Sequence, residues 1–224
     1  MLNILFPKKD LNSRKLWQYL DKNVKLKFRS HNEICYKCKK ENKDFMTHKF
    51  CKWIYWLEQI ITCFYYTKEI KKYLLNFKYY HRKDLIKEIW DMMDLYFKMY
   101  FSNLDKNKII ISYVPMHWIR KYFIKWYNQW ELLANYIWKK NNIKVQTVCK
   151  KIKWTKPQAK VRGRNERMEN LKDSFASLDI SEDIEAVVLV DDILTTWSTL
   201  NELSKCIKNK YSKIKVYWLV LARK

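Results

Sequence analysis

Two groups of residues in this sequence have the types and spacing that chemistry needs, and the first lies around residue 190. The apolar run Val187–Val190 is followed by Asp191 and Asp192 and then by a hydroxyl-rich stretch, Thr195-Thr196-Trp197-Ser198-Thr199. Ligands of open α/β sheets bind just beyond the carboxyl ends of strands, so a strand ending in two acids would present them there. Adjacent carboxylates can accept hydrogen bonds from a sugar diol, and a helix N-terminus with threonine hydroxyls can bind an anion.

A purely structural interpretation of the same run needs no ligand. It makes Asp191 and Asp192 part of a turn and Thr196 or Ser198 a helix N-cap. This interpretation explains any two of these residues, but it leaves the whole run unexplained.

The second group is Cys35-x2-Cys38-x9-His48-x2-Cys51. Its spacing is typical of a small structural zinc site, in which four ligands close a tetrahedron. Such a site would fold a segment that is too short to have its own core. The alternative is free cysteines with His48 on the surface. The other cysteines, Cys63, Cys149 and Cys206, lie in apolar patterns and are predicted to be packing residues.

The elements that must position these groups follow from hydrophobic periodicity. Short β-branched runs predict buried strands at 109–114, 186–190 and 215–221, and residues 143–149 alternate like a half-exposed strand. Three-to-four spacing predicts helices at about 82–101, 127–141 and 198–210. Strands that alternate with helices predict an α/β fold with a mainly parallel sheet flanked by helices. We expect an N-terminal segment with the Cys/His zinc module at 1–65 and the α/β domain at 66–224.

Composition sets broad limits on function. The 224 residues include 46 Lys and Arg against 23 Asp and Glu, a formal charge of +23. This excess is explained first by solvated lysine-rich faces; the alternative is a basic surface that attracts nucleic acid or phosphorylated ligands. No apolar run approaches the ~20 residues of a membrane span, and the first residues do not resemble a signal peptide. We therefore expect a cytoplasmic protein.

The segment 187–199 closely resembles the phosphoribosyl-pyrophosphate (PRPP) motif of the type I phosphoribosyltransferases: four apolar residues, two acids, two spacers, then Thr-Thr-Gly-small-Thr. The resemblance implies that Asp191 and Asp192 hold the ribose 2′- and 3′-hydroxyls. It also implies that Thr195, Thr196, Ser198 and Thr199 cradle the 5′-phosphate, with Trp197 standing at the family's glycine position.

Further segments resemble the ComF subgroup of that superfamily, namely Val114–Arg120 with Lys125–Ala134, Thr155–Gln158, Arg167–Phe175 and Val216–Arg223. The resemblance implies a Rossmann-like phosphoribosyltransferase domain behind a cysteine zinc module. By the same resemblance Pro115, Lys125 and Gln158 would contact PRPP, residues 150–170 would form a hood over the site, and Arg167 would join Asp191 and Asp192 as a catalytic residue.

The chemistry implied by this resemblance is displacement of pyrophosphate at the anomeric carbon, assisted by Mg²⁺, with transfer of phosphoribosyl to or from a nitrogenous base. ComF-like proteins are associated with competence and DNA uptake. The alternative is a non-catalytic accessory protein with the PRPP fold that binds DNA or a helicase, and a PRPP- or nucleotide-sensing regulator is a third candidate. The acceptor base, catalytic competence, oligomeric state and protein partner stay open.

Glycine and tryptophan occur in unusual numbers: Gly 1 and Trp 11. Trp126, Trp197 and Trp218 fall where the ComF-like proteins have glycine. Tight turns and phosphate loops need glycine, because they require positive φ and close backbone approach. We therefore hypothesise that many of these tryptophans are UGA codons that the source lineage reads as glycine.

Overall fold

The computed structural model describes residues 33–52, 57–68, 70–71, 74, 87–115, 129–155, 161, 163–194 and 198–224. Their strands are β1 (Gln59–Tyr65), β2 (Ile109–Tyr113), β3 (Cys149–Lys151), β4 (Phe175–Ser177), β5 (Ala186–Leu194) and β6 (Lys215–Arg223). Their helices are α1 (Lys49–Lys52), α2 (Lys87–Phe101), α3 (Gln129–Asn141), α4 (Arg164–Leu171) and α5 (Ser198–Lys210). A 3-10 turn at Lys43–Phe45 precedes α1.

Four strands form the central sheet in the order β1-β6-β5-β2, and every neighbouring pair is parallel. Parallel strands covered on both faces are continuously apolar, since neither face meets water. Accordingly, the first five residues of β5 and seven consecutive residues of β6 are buried. The short strands β3 and β4 form a separate antiparallel pair.

Helices cover both faces of the sheet. On one face α2 and α3 contribute Phe97, Phe101, Leu133 and Ile137 to a core with strand residues such as Val188. On the other face Leu200, Leu203 and Ile207 of α5 pack with the alternate strand residues and with the β3–β4 pair. The predicted fold class, a mainly parallel α/β sheet flanked by helices, is confirmed.

The structure differs from the pattern-based prediction in several strands. β4 was not predicted, and neither was β1, although six of the seven residues of β1 are buried. β5 was predicted to end at Val190, but it continues through Asp191 and Asp192 to Leu194 because β6 goes on pairing with it. The strand predicted at 143–149 is reduced to a parallel bridge between Val145 and Ile111, followed by β3.

The segment with the Cys/His group is attached to the N-terminal end of β1. Met46 forms an antiparallel bridge with Gln59, and the Thr47 N–H donates to the Glu58 carbonyl at 2.9 Å. Phe45 is buried in the sheet core, with its ring 5.5 Å from that of Tyr100 on α2. β1 belongs to the central sheet although it precedes the predicted boundary at residue 65, and the division into two domains stays a prediction.

Across the described parts of the chain, none of the helices combines the length and the apolarity that a membrane crossing requires.

Candidate functional site

The four residues of the predicted zinc site lie together. One ligand atom from each of Cys35, Cys38, His48 and Cys51 lies within 4.8 Å of all the others. The Cys38 Sγ and His48 Nδ1 atoms are 3.3 Å apart. Cys35 and Cys51 are buried, His48 is half-buried and Cys38 is exposed. The group therefore faces the core with two thiols and the solvent with one.

Two tight turns of the backbone bring these ligands together. The Lys39 N–H donates to the Cys35 carbonyl at 3.0 Å, and Lys39 adopts the left-handed conformation with φ 65°. The Cys51 N–H donates to the His48 carbonyl at 2.8 Å, which closes the second turn at the start of α1. In each pair, Cys35 with Cys38 and His48 with Cys51, the backbone turn thus brings the two side chains to the same side.

The electrostatics of the group favour a cation. Burial alone would raise the pKa of Cys35, but backbone hydrogen bonds from Cys38, His48 and Lys37 outweigh it and lower that pKa to about 6. Burial, together with the neighbouring Cys35 and Cys38 sulfurs, raises the pKa of Cys51 to about 11. Of these two sulfurs Cys35 therefore loses its proton more readily, and a bound cation would favour ionisation of Cys51 beside it.

A zinc ion fits this donor set. Tetrahedral zinc with Zn–S distances of ~2.3 Å and Zn–N distances of ~2.0 Å needs ligand atoms roughly 3.5–3.8 Å apart. The 4.8 Å spread of the four atoms and the 3.3 Å contact between Cys38 and His48 lie close to that requirement. Three thiols and an imidazole form a closed structural set, so the Cys₃His group could hold zinc without leaving a position for substrate.

The paired carboxylates occupy the carboxyl edge of the sheet. β2 ends at Tyr113, which pairs with Val190, so Asp191 is the first β5 residue beyond the end of β2. On its other side Asp191 still pairs with Val220 of β6. The Asp192 N–H donates to the Asp191 carboxylate at 2.8 Å, and Asp192 is 9% exposed while Asp191 is half-buried. The two acids thus lie near the carboxyl end of β5, which ends at Leu194, and ligands of open α/β sheets bind beyond such strand ends.

Three further predicted PRPP contacts are described. Pro115 is buried two residues past the end of β2. Ser198, 3% exposed, is the first residue of α5, and Thr199 is half-buried beside it. The polypeptide therefore carries Pro115, the two aspartates and the beginning of α5 to one edge of the sheet.

The remaining predicted ligand-binding residues have no described side chains. Thr195, Thr196, Trp197, Lys125 and Gln158 lie outside the described residues. Arg167 lies on α4, where only its backbone is described. Their assignment to a PRPP site stays a prediction.

Arg223 is a residue at this edge that the sequence analysis did not select as a ligand. It ends β6, pairs with Tyr65 of β1 and Leu194 of β5, and is half-buried. Burial lowers the pKa of its guanidinium, and the nearby Tyr65 acts in the opposite direction. A cation at the end of an otherwise apolar strand, Val216–Ala222, is the sequence signal that could have identified it.

Part of the chain is similar to Competence protein F of Haemophilus influenzae, with 35% identity over 99 residues. The matched region is 42% of this chain and 42% of that protein, so the similarity spans less than half the length of the curated relative. No protein-family profile matches the chain. The similarity supports a ComF-like relationship for this part of the molecule.

Proposed function

We propose that this chain is a cytoplasmic ComF-like protein that binds PRPP at the carboxyl edge of its sheet and transfers phosphoribosyl to or from a nitrogenous base. The observation that carries the proposal is the position of Asp191 and Asp192, on β5 just beyond the end of β2 and ahead of α5. The similarity to Competence protein F supports a role associated with competence and DNA uptake.

In this proposal the protein positions the sugar and stabilises charge. The Asp191 and Asp192 carboxylates accept hydrogen bonds from the ribose hydroxyls and hold the anomeric carbon in one orientation. The N-terminal end of α5, with Ser198 and Thr199, faces the 5′-phosphate, because helix N-termini attract anions. Positioning and charge neutralisation are the main contributions a protein makes to a displacement of this kind.

Two metal ions belong to the proposal in different roles. Mg²⁺ bound together with PRPP would neutralise charge on the leaving pyrophosphate. Zinc held by Cys35, Cys38, His48 and Cys51 would have a structural role, because all four positions of a tetrahedron are filled by protein.

The first test is PRPP binding and pyrophosphate release with a panel of nitrogenous bases. The double variant Asp191→Asn with Asp192→Asn should bind PRPP about 100-fold more weakly or worse, because it removes two charged hydrogen-bond acceptors. A matched control is Glu182→Gln with Asp183→Asn, a neighbouring pair of acids that is exposed, and it should bind like the parent protein. Equal PRPP affinity in both double variants would refute the site.

Trp197 needs its own variant in the same assay, since an indole in a phosphate turn blocks close approach of the backbone. If the recoding hypothesis is correct, Trp197→Gly should bind PRPP more tightly than the protein made with tryptophan. Reading the coding DNA decides the hypothesis directly, because UGG codons at positions 126 and 197 would end it.

The second candidate function is a non-catalytic accessory role in DNA uptake, with binding to DNA or a helicase. The exposed surface around residues 150–154 favours it. Ile152 is 50% exposed and Trp154 is 52% exposed, and both stand beside the exposed Lys150 and Lys153. Exposed aromatic rings with neighbouring cations are suited to stacking on single-stranded nucleic acid.

DNA binding separates the two candidates. The accessory function predicts salt-sensitive binding of single-stranded DNA. Trp154→Ala should weaken this binding, whereas the double variant Asp191→Asn with Asp192→Asn should retain it. Pyrophosphate release that depends on both a base and the two aspartates would support the transferase. PRPP binding without turnover, coupled to a change in DNA affinity, would indicate a regulator.

A further inference from the structure

Two cysteines outside the Cys/His group lie next to each other. Cys149 is the first residue of β3, and Cys206 lies in the middle of α5. Their Sγ atoms are 3.9 Å apart, although the residues are 57 positions apart in the sequence. Apolar patterning predicted both as packing residues, and it gave no indication that they would meet.

The two sulfurs have different access to solvent. Cys149 is 1% exposed and belongs to the core on the α5 face of the sheet. Cys206 is half-buried and lines an open cavity of about 480 Å³ between α5 and the β3–β4 pair. A small reagent in this cavity can therefore reach Cys206, whereas Cys149 is shielded from solvent.

The electrostatics of the pair assign it two roles. The Cys149 thiol donates a hydrogen bond to the Cys206 sulfur. This hydrogen bond lowers the pKa of Cys206, while burial and the charge of Glu202 act in the opposite direction. The pKa of Cys149 is raised, first by its hydrogen bond with Cys206 and then by burial. The accessible sulfur is thus the better nucleophile, and the buried sulfur retains its proton.

We propose that Cys149 and Cys206 are a redox-active dithiol that a low-molecular-weight disulfide converts into a disulfide bond between β3 and α5. The Cys206 thiolate attacks one sulfur of the reagent, forms a mixed disulfide and releases one thiol. Cys149 then loses its proton and attacks the Cys206 sulfur, which closes the intramolecular bond and releases the second thiol. Two electrons pass from the protein thiols to the reagent, which leaves as two thiols.

The geometry requires only a short movement. The sulfurs must approach from 3.9 Å to the ~2.05 Å of a disulfide bond. α5 packs against the β3–β4 pair through Leu203 and Ile207, which share a core cluster with Phe175. The elements that carry the two cysteines are thus already in contact before the bond forms. The proposal does not depend on the phosphoribosyl site.

The test is oxidation of the full-length zinc-bound protein with oxidised glutathione, followed by tryptic digestion and mass spectrometry. Cleavage at lysines places Cys149 in the peptide 145–150 and Cys206 in the peptide 206–208. We expect these two peptides joined by a disulfide in the parent protein, and separate again after treatment with dithiothreitol. Oxidation should also raise the melting temperature, on the order of 5–10 °C, because the bond restricts the unfolded chain.

Three variants complete the design. Cys149→Ser should stop at a stable glutathione adduct on Cys206, and Cys206→Ser should leave Cys149 unmodified. The control Cys63→Ser should form the bond normally, because Cys63 is buried in the core on the opposite face of the sheet. The proposal is overturned if Cys206 of the parent protein accumulates only as the glutathione adduct, or if both thiols stay reduced.

Discussion

Trp218 shows how closely a single side chain can be tied to this core. It is fully buried in β6, and its indole N–H donates to the Ser204 hydroxyl on α5 at 3.1 Å. Its ring packs in the apolar cluster between α5 and the face of the sheet that α5 covers. Resemblance to the ComF-like proteins suggested glycine at this position, yet in the structure the whole indole of Trp218 is packed in the core and hydrogen-bonded.

This contrast gives a stability prediction. Trp218→Gly should lower the free energy of unfolding by about 3–5 kcal/mol or more, because it leaves a large cavity in the core. Trp154→Gly, at a side chain that is 52% exposed, should change it far less. Urea denaturation of both variants measures the difference. A Trp218→Gly protein as stable as its parent would instead support glycine as the natural residue.

Backbone conformation gives a second view of the glycine shortage. Gly163 has φ +79°, a value that L side chains rarely adopt. Within the described residues, the non-glycine positions with positive φ are Lys39, Asp44, Phe45, Asn142 and Asp173, and none of them is a tryptophan. The recoding hypothesis therefore concerns Trp197 and Trp126 above all, and both lie outside the described residues.

The sequence could identify the Cys/His group and the pair of aspartates as candidates, because the residues of each group are close together in the chain. The spacing of the three cysteines and His48 identified a group whose ligand atoms converge. Apolar patterning likewise placed Asp191 and Asp192 next to a buried strand. What local sequence could not supply was the continued pairing of β5 with β6 beyond the acids, or the contact between Cys149 and Cys206, because both depend on residues distant in the chain.

Among the elements, α2 and α3 are joined by a polar network centred on Asp91. Its carboxylate accepts hydrogen bonds from Lys87 at 2.7 Å on its own helix, and from Lys140 at 3.0 Å and the Tyr136 hydroxyl on α3. Burial alone would raise the pKa of Asp91, but these hydrogen bonds outweigh it and lower the pKa to about 2. The charged carboxylate thus links two helices on one face of the sheet.

The lowered pKa of Asp91 makes this link sensitive to acid. The unfolded chain takes up the proton first as pH falls, so the stabilisation is complete above about pH 5 and is lost between about pH 4 and pH 2. We expect Asp91→Asn to lower the free energy of unfolding by about 1 kcal/mol at pH 6, a modest value because solvent screens a carboxylate that is one-third exposed.

Denaturant titrations of Asp91→Asn and its parent at pH 6 and pH 2.5 check this prediction. The difference between the two proteins should shrink towards zero at the lower pH. Asp179→Asn is the matched control, because Asp179 pairs with Lys210 at 2.6 Å but is 97% exposed; it should change stability little at either pH. A difference for Asp91→Asn that stays constant with pH would contradict the assignment.

Element type was predictable wherever the pattern was clear. The helices at 198–210 and 87–101 follow from three-to-four periodicity, and the strands at 109–113 and 215–223 follow from β-branched apolar runs. β3 and β4 have three residues each, which is too short for a pattern to emerge. β1 was missed because the polar residues Gln59 and Thr62 interrupt its apolar run, so the segment matches neither a continuous buried strand nor an alternating one.

At the scale of the whole molecule, the Cys/His segment and the sheet form a continuous structure. Tyr100 on α2 donates to Glu33 at 2.9 Å, and the other oxygen of Glu33 accepts from the Asp44 N–H at 2.8 Å. The buried Phe45 completes this attachment from the 3-10 turn. A change in the folding of the Cys/His segment should therefore affect β1 and α2.

Metal removal tests this connection. Chelation of zinc should lower the melting temperature of the whole chain by about 5–10 °C as a single transition, because metal binding stabilises only the folded state. His48→Ala should have the same effect, whereas His48→Cys should retain zinc by preserving four ligands. Two separate transitions, or an unchanged melting temperature after complete chelation, would contradict a connection between the Cys/His segment and the sheet.

The position of β6 has a consequence for how this molecule is made. It follows every other described strand in the sequence, yet it lies between β1 and β5 in the sheet. Among the described strands, β1 has no partner in the central sheet before β6 is synthesised, and β5 has β2 alone. Two apolar strand edges stay exposed until β6 emerges and joins them, which invites chaperone capture or aggregation. The nascent protein must therefore delay closure of its sheet until β6 has emerged from the ribosome.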